Sequence, residues 1–178
     1  MQAILDAITA GTLNARISLV MSDQPEALIL NRAKKNGINA ATIDCGGYKN
    51  RFPLSSQQET ADRLLATEVD LVCLAGFMRL VKTPLLKAFP QRVLNIHPSL
   101  LPAYPGIAAW EQAIADQAKE SGCTVHLVDE GMDTGPILSQ AKVPVHEDDT
   151  PSTLHQRIQI EEHRLYPQTI AEYAQSLS

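Results

Sequence analysis

A short apolar run near the middle of the chain, DLVCLA with Val69 before it, most limits what this sequence can fold into. Its apolar residues do not alternate with polar ones, as they would in a strand with one face in water. An apolar run of this length is typical of a strand buried on both faces of a parallel sheet. We therefore predict a strand over Val69 to Ala75 within an α/β fold.

Helix and strand patterns alternate over the first two thirds of the chain. The predicted strands are Ile17 to Met21, Ala40 to Ile43, Val69 to Ala75, Arg92 to Ile96, Cys123 to Val128 and Ile137 to Val145. The predicted helices cover Ile4 to Ile8, Gln24 to Lys35, Gln57 to Thr67, Pro84 to Phe89, Ile107 to Ala118 and Thr150 to Gln175. This order predicts a Rossmann-like α/β fold with a mostly parallel central sheet flanked by helices. Because no linker or repeat divides the 178 residues, we predict one domain over 1–178.

Charge and composition exclude several classes of function. A net charge of -5 and a pI of about 5.5 disfavour a broad nucleic-acid-binding surface. No apolar run approaches the length of a membrane span, and the N-terminus has no secretory pattern. The three cysteines, Cys45, Cys73 and Cys123, match no metal spacing, which favours reduced thiols. We expect a cytoplasmic protein with no metal, nucleic-acid or membrane partner.

The segment Leu94 to Pro102, LNIHPSLLP, is the strongest local signal of chemistry. Asn95 and His97 lie two residues apart at the carboxyl end of a predicted strand, so their side chains leave the same face. Ligands of open α/β sheets gather at such strand ends. An amide beside an imidazole can donate hydrogen bonds to an oxygen that gains negative charge.

Two loops give weaker signals. In Gly131 to Pro136, Asp133 could orient a histidine or accept a proton, although Asp and Gly also predominate in ordinary hairpin turns. The loop Ala75 to Leu80 could form a slot for a flat heteroaromatic ligand, or could simply join a strand to a helix. Taken alone, His126 reads as a core histidine, and Glu162 as part of a solvated helix face.

Four segments together resemble the glycinamide ribonucleotide formyltransferases. They are LAGFMRL from Leu74, LNIHPSLLPAYPG from Leu94, GCTVHLVDEGMDTGPIL from Gly122 and EEHRLYP from Glu161. They occur in that family's order and at its spacing. The resemblance implies the formyltransferase fold and transfer of a formyl group from 10-formyltetrahydrofolate, a co-substrate, to the amine of glycinamide ribonucleotide in purine biosynthesis. It implies no metal, and a monomer or homodimer.

The resemblance also assigns residues by their positions in these segments. It implies catalytic roles for Asn95, His97 and Asp133. It implies folate binding by Met78, Arg79, Leu80, Val128, Asp129, Glu130, Gly131 and Met132. It implies contacts on the substrate side by Gly76, Pro98, His126 and Glu162.

The chain departs from the family at its beginning. Members begin with an apolar strand and a Gly-Ser-Gly-x-Gly-Ser-Asn-type loop, whereas Met1 to Leu5 matches the helix that follows this loop. We therefore expect a truncated domain whose sheet lacks the first strand, with exposed edges, low stability and weak binding of the nucleotide phosphate.

Two other interpretations stay open. Formyltetrahydrofolate deformylases use the same scaffold with water as the acceptor, but carry a second histidine where this chain has Pro98. A catalytically impaired remnant that binds folate is the other. Methionyl-tRNA formyltransferases are disfavoured because they need a further tRNA-binding domain.

Overall fold

The computed structural model describes residues 1–48 and 51–177 and has the expected α/β fold. The strands are β1 (Leu19–Ser22), β2 (Asn39–Thr42), β3 (Val72–Leu74), β4 (Val93–His97), β5 (Glu120–Leu127) and β6 (Ile137–Pro144). The helices are α1 (Gln2–Thr9), α2 (Leu28–Lys35), α3 (Leu54–Leu65), α4 (Thr83–Ala88), α5 (Ala109–Ala115) and α6 (Pro151–Ser176). Helices and strands alternate as predicted, with β5 and β6 forming a hairpin before the last helix.

Within the described residues, the strands form two sheets. The smaller contains β1 and β2 in parallel, and the larger has the order β3-β4-β5-β6. In the larger sheet β3 and β4 are parallel, whereas β5 is antiparallel to both of its neighbours. It follows that β5 alone runs against the direction of the other three strands.

Strand β3 corrects the prediction made from its apolar run. The strand covers only Val72–Leu74, and all three residues are half-buried rather than buried on both faces. The reason is its position, because β3 lies at the edge of its sheet and pairs only with β4 among the described residues.

Some element boundaries also differ from the predictions. Helix α2 begins at Leu28 rather than Gln24, because a turn closed by the Ala27 amide and the Gln24 carbonyl comes first. Strand β5 begins at Glu120, three residues early, because its ladder with β6 extends to the pair Glu120 and Pro144.

The main core lies between the larger sheet and the helices α5 and α6. Leu94, Val125, Leu154 and Ile158 are fully buried in it. The residues 154, 158 and 165 recur at helical spacing along one face of α6, which explains why this long helix packs on the sheet. The hydroxyl of Tyr166 adds a polar anchor, since it lies 2.8 Å from the Leu74 carbonyl oxygen of β3.

The start of α6 carries a capping box. Thr150 accepts the amide of Thr153 through its hydroxyl, the Thr153 hydroxyl accepts the Thr150 amide, and Pro151 opens the helix. This capping box satisfies backbone donors that the first turn leaves free. The helix therefore begins at Pro151 with its first backbone donors partly bonded.

The three cysteines are free thiols. Burial raises the pKa of Cys73 to about 11 and that of Cys123 to about 12. Both side chains therefore stay protonated at neutral pH and act as small apolar groups.

No helix within residues 1–48 or 51–177 combines the length and apolar character needed to cross a membrane.

Candidate active site

Four polar side chains meet at the carboxyl end of β4. Asn95 and His97 leave the same face of this strand, as their spacing predicts. The antiparallel register places His126 of β5 directly opposite Asn95. Asp133 comes from the loop that joins β5 to β6, so the group combines two strands and one loop.

The distances show that these side chains form one cluster. His97 Nδ1 lies 3.3 Å from Asp133 Oδ2, and His126 Nε2 lies 3.5 Å from Asp133 Oδ1. Asn95 Nδ2 lies 3.2 Å from His126 Nε2. The Asp133 carboxylate therefore bridges two imidazoles, and one of these contacts the carboxamide.

Both histidines are buried, and each has a backbone partner. His126 Nδ1 lies 2.9 Å from the Leu127 carbonyl oxygen, and His97 Nε2 lies 2.9 Å from that of Tyr104. A hydrogen on His126 Nδ1 donates to Leu127, which leaves Nε2 free to accept an N–H of Asn95. The rings are thus fixed in orientation as well as in position.

The pKa of the Asp133 carboxyl is lowered. Burial alone would raise it, but the His126 imidazole, the hydrogen bond from the Gly106 amide and the charge of His97 together outweigh burial. The Gly106 N–H donates to Asp133 Oδ2 at 2.8 Å. Asp133 is therefore a carboxylate at neutral pH, in contact with two imidazoles.

Two glycines, Gly131 and Gly135, give the Asp133 loop its shape. A Cβ at Gly131 would lie 1.9 Å from the Thr134 hydroxyl, and one at Gly135 would lie 1.8 Å from the Leu127 carbonyl oxygen. Asp133 itself has a positive φ of 56°. Only glycine allows the backbone to close this tightly on both sides of the acid.

In the segment Met78 to Leu80, which follows β3, the apolar side chains are exposed to solvent and the arginine is buried. Met78 is 72% exposed and Leu80 47% exposed, so both offer apolar surface beside the strand ends. Arg79 is buried, and its Nε donates to Asp23 Oδ2 at 2.7 Å. The Arg79 guanidinium also donates to the carbonyls of Tyr48 and Arg51. Its side chain is therefore committed to contacts within the protein.

The remaining residues that the resemblance assigns to folate lie in residues 128–132. The Val128 amide donates to the Val93 carbonyl at 2.9 Å, which extends the pairing of β5 with β4. Asp129 Oδ1 accepts the Gly131 amide at 2.9 Å. Met132 is 52% exposed and packs over Gly106, where an added Cβ would lie 3.2 Å from its sulfur.

The residues assigned to the substrate side are more dispersed. Gly76 has a φ of +67° at the end of β3, and Pro98 follows His97 directly. Glu162 lies on α6, and its side chain makes no hydrogen bond or ion pair with another residue within 1–48 or 51–177. Burial raises its pKa to about 7, so the prediction of a fully solvated face is wrong for this residue.

Several residues beside the cluster were not predicted. Tyr104 contributes a carbonyl to His97, and Lys82 and Thr83 contact Glu130. Asp23 pairs with Arg79 across 56 positions of sequence. No local pattern marks any of these partners, because each depends on how distant segments pack.

A cavity of about 320 Å³ lies elsewhere, between α1 and α6. It is lined by Ala3, Ala7, Thr12, His163, Arg164, Pro167, Gln168, Ala171, Glu172 and Gln175. None of the four cluster residues borders this cavity. The cluster, which combines a carboxamide, two imidazoles and a carboxylate, is therefore the candidate active site. Across the described ranges, no group of three or more His, Cys, Asp or Glu side chains is arranged to hold a metal ion.

Comparisons with known proteins identify the family. A family model described as formyl transferase matches residues 1–170. Phosphoribosylglycinamide formyltransferase of Bacillus subtilis is 41% identical over 169 residues, which are 95% of this chain and 86% of that protein. The trifunctional purine biosynthetic protein adenosine-3 of Drosophila melanogaster is 44% identical over 173 residues, or 96% of this chain. This chain spans only 13% of the length of that larger protein.

Solved structures agree with these matches. Glycinamide ribonucleotide transformylase 1 from Symbiobacterium toebii is 49% identical and superposes with a TM-score of 0.93, covering 98% of this chain and 82% of that one. A formyltetrahydrofolate deformylase from Pseudomonas syringae is 22% identical with a TM-score of 0.86, covering 98% of this chain and 57% of that one, and shares the fold. From the family model and these relatives together, the chain belongs to the formyltransferase family.

Proposed function

We propose that this chain transfers the formyl group of 10-formyltetrahydrofolate to the amine of glycinamide ribonucleotide. The observation that carries the proposal is the convergence of Asn95, His97 and Asp133 at one strand end. Relatives that this chain covers over most of their length are named for this reaction. The reaction forms a C–N bond between the amine and the formyl carbon and breaks the bond from that carbon to N10 of the folate.

Asn95 is proposed to stabilise the tetrahedral intermediate. One N–H of its carboxamide is directed to His126 Nε2, which leaves the second N–H free for the formyl oxygen as it becomes negative. His126 therefore acts by orienting Asn95 rather than by contacting the substrate. Losing one such donor typically costs about 3–4 kcal/mol of transition-state stabilisation.

His97 and Asp133 are proposed to move the protons of the reaction. The attacking amine must lose a proton, and N10 of the leaving folate must gain one. The Asp133 carboxylate can accept the first, directly or through water, and the His97 imidazolium beside it can stabilise the oxyanion by its positive charge and supply the second proton. Because the two groups lie 3.3 Å apart, a proton can pass between them.

The folate is proposed to bind against the apolar surface on either side of the cluster. Met78, Leu80 and Met132 are exposed there although they are apolar, which is typical of a ligand-binding wall. Backbone groups of Arg79 and of Val128 to Gly131 supply polar contacts to a flat ring. The Arg79 side chain contributes by fixing its own loop.

Glycinamide ribonucleotide is proposed to bind on the side of Gly76, Pro98 and Glu162. A half-buried carboxylate such as Glu162 can accept hydrogen bonds from sugar hydroxyls, which would replace the water that burial removes. We further propose that residues 1–178 act as one domain in the cytoplasm, as a monomer or homodimer.

A product assay tests the proposal. The chain is incubated with 10-formyltetrahydrofolate and glycinamide ribonucleotide, and the products are identified by mass spectrometry, while calorimetry measures folate binding. We expect the formylated nucleotide and tetrahydrofolate in equal amounts. Formate without formylated nucleotide would make the chain a deformylase. Folate binding without turnover would make it a remnant, and no binding would also overturn the proposal.

A further inference from the structure

We propose that Glu130 is a positioning residue that fixes the Asp133 loop (residues 128–134) by joining it to the first turn of α4. The kinetic part of this inference rests on the proposed function, whereas its structural part does not. The sequence resemblance implies for Glu130 only a general place beside the folate. Its contacts point to a specific mechanical role.

Glu130 is held by two neighbouring residues at the start of α4, the N-cap residue Lys82 and Thr83. The Lys82 ammonium donates to the Glu130 carbonyl at 2.5 Å. The Thr83 hydroxyl donates to the Glu130 carboxylate. One clamp therefore holds both the backbone and the side chain of the same loop residue.

The α4 side of this clamp is fixed in turn to the protein core. The Lys82 amide donates to Gln57 Oε1 of α3 at 2.7 Å. Gln57 is fully buried, and its Nε2 donates to the Phe52 carbonyl at 2.8 Å. A buried polar group with both of its ends bonded is a rigid support, so the clamp rests on a part of the fold that moves little.

The loop side transmits this constraint to Asp133. Asp129 Oδ1 accepts both the Gly131 amide at 2.9 Å and the Thr134 hydroxyl at 2.7 Å. These bonds span the residues on both sides of Asp133, so the loop responds as one unit. A shift at Glu130 is therefore expected to shift the carboxylate.

Few other contacts hold the outer part of this loop. Its base is paired through the Leu127 and Val128 amides, which bond to the carbonyls of Pro136 and Val93. Beyond the base, the described residues contact the loop chiefly at Asp133, through the Gly106 amide, His97 and His126. Without the clamp, the outer part of the loop would be held mainly through Asp133 itself, so its backbone would have little support outside the site.

Hydrogen exchange of the free protein tests the clamp without any substrate. In Lys82→Met/Thr83→Val, both side-chain donors are lost while the Lys82 amide keeps its bond to Gln57. We expect the amides of Gly131 and Met132 to exchange about fivefold faster, as when a net hydrogen bond is removed from a closed state. Unchanged exchange there would overturn the proposal, whether or not the chain transfers formyl groups.

Kinetics then test the link to Asp133. We expect Glu130→Ala to lower kcat for formyl transfer about tenfold, because the carboxylate is mispositioned. Glu130→Gln keeps an acceptor for the Thr83 hydroxyl and is expected to restore most of this activity. The matched control is Glu147→Ala, which removes an exposed glutamate from the loop after β6. A kcat for Glu130→Ala equal to that of this control would refute the positioning role.

Discussion

The two sheets of this molecule differ in length, burial and chemistry. In the larger sheet, β5 and β6 each have eight residues, and every residue of β5 after Glu120 is buried. In the smaller, β1 and β2 have four residues each, and β2 has no buried residue. The polar cluster lies on the larger sheet. Side chains that must meet within about 3.5 Å need strands whose register cannot slip, and long buried ladders provide that.

The smaller sheet is joined to the larger by packing and by one buried ion pair. Leu19 and Met21 of β1 pack in a core cluster with Val72 and Leu74 of β3. Arg79, which follows β3, pairs with Asp23, which follows β1. The ends of the two sheets are thus held together at the same side of the molecule as the cluster.

The largest expected effect comes from removing the His97 imidazole from the cluster on the larger sheet. We expect His97→Ala to lower kcat for formyl transfer about a thousandfold, since general acid catalysis and oxyanion stabilisation are both lost. Steady-state kinetics with a saturating formyl donor measure this, and Asp133→Asn is expected to give a loss of similar size. The control is His146→Ala, which removes an exposed histidine just beyond β6. Equal activity of the His97 and His146 variants would remove the basis for placing the chemistry on this sheet.

The part of the site that follows from one strand could be predicted, and the part that depends on register could not. The spacing of Asn95 and His97 alone places both on one face. His126 joins them only because β5 pairs antiparallel with β4 in a register that puts it opposite Asn95. When the pairing of β4 with β5 is not known, His126 is interpreted as an ordinary core histidine. A shift of one residue in the register of β5 would turn its side chain to the other face of the sheet.

In the fold, too, local sequence patterns predict the elements, whereas their burial depends on packing between distant segments. The apolar run from Val69 predicts a strand correctly, but its burial depends on which strands lie beside it. Because β3 is an edge strand within the described residues, its three residues are only half-buried. Likewise, Arg79 lies in a segment expected to contact ligand, but Asp23 and two carbonyls occupy its guanidinium. Pairing between residues 56 apart is a property of packing, and no local pattern predicts it.

The second prediction breaks the link between the two sheets. The side chains of Arg79 and Asp23 are only 4% and 16% exposed. Arg79→Met leaves the Asp23 carboxylate without its partner in a mostly dry site, and we expect a loss of about 3 kcal/mol in the free energy of unfolding. Urea denaturation followed by circular dichroism measures it.

A surface ion pair provides the control for this variant. Arg63 and Glu59 pair at 2.6 Å, but their side chains are 46% and 56% exposed. Arg63→Met is expected to cost less than about 0.5 kcal/mol, because water screens such pairs. If the two variants lost the same stability, the Arg79 pair would be no more than a surface contact, and the sheets would be joined by apolar packing alone.

The smallest effect concerns Glu162, on the helix that covers the larger sheet, and it depends on pH. Burial raises the pKa of this carboxyl from its ordinary 4.5 to about 7 in the folded chain. The folded state therefore favours the protonated form, so the group's stabilising contribution is complete below pH 4.5 and is lost as the pH rises through 7. One pKa unit corresponds to about 1.4 kcal/mol, and partial exposure reduces the total, so we expect a loss of about 2 kcal/mol over this range.

Glu162→Gln has no carboxyl to ionise. Thermal or urea unfolding at pH 4.5 and pH 7.5 should show the wild type losing about 2 kcal/mol relative to this variant. Other groups that titrate between these values, such as His155 with its lowered pKa, are present in both proteins and cancel in the difference. Parallel pH profiles for the two proteins would mean that water reaches Glu162 freely. In that case α6 would not shield this part of the larger sheet from solvent, and its burial here would be no better than that of the smaller sheet.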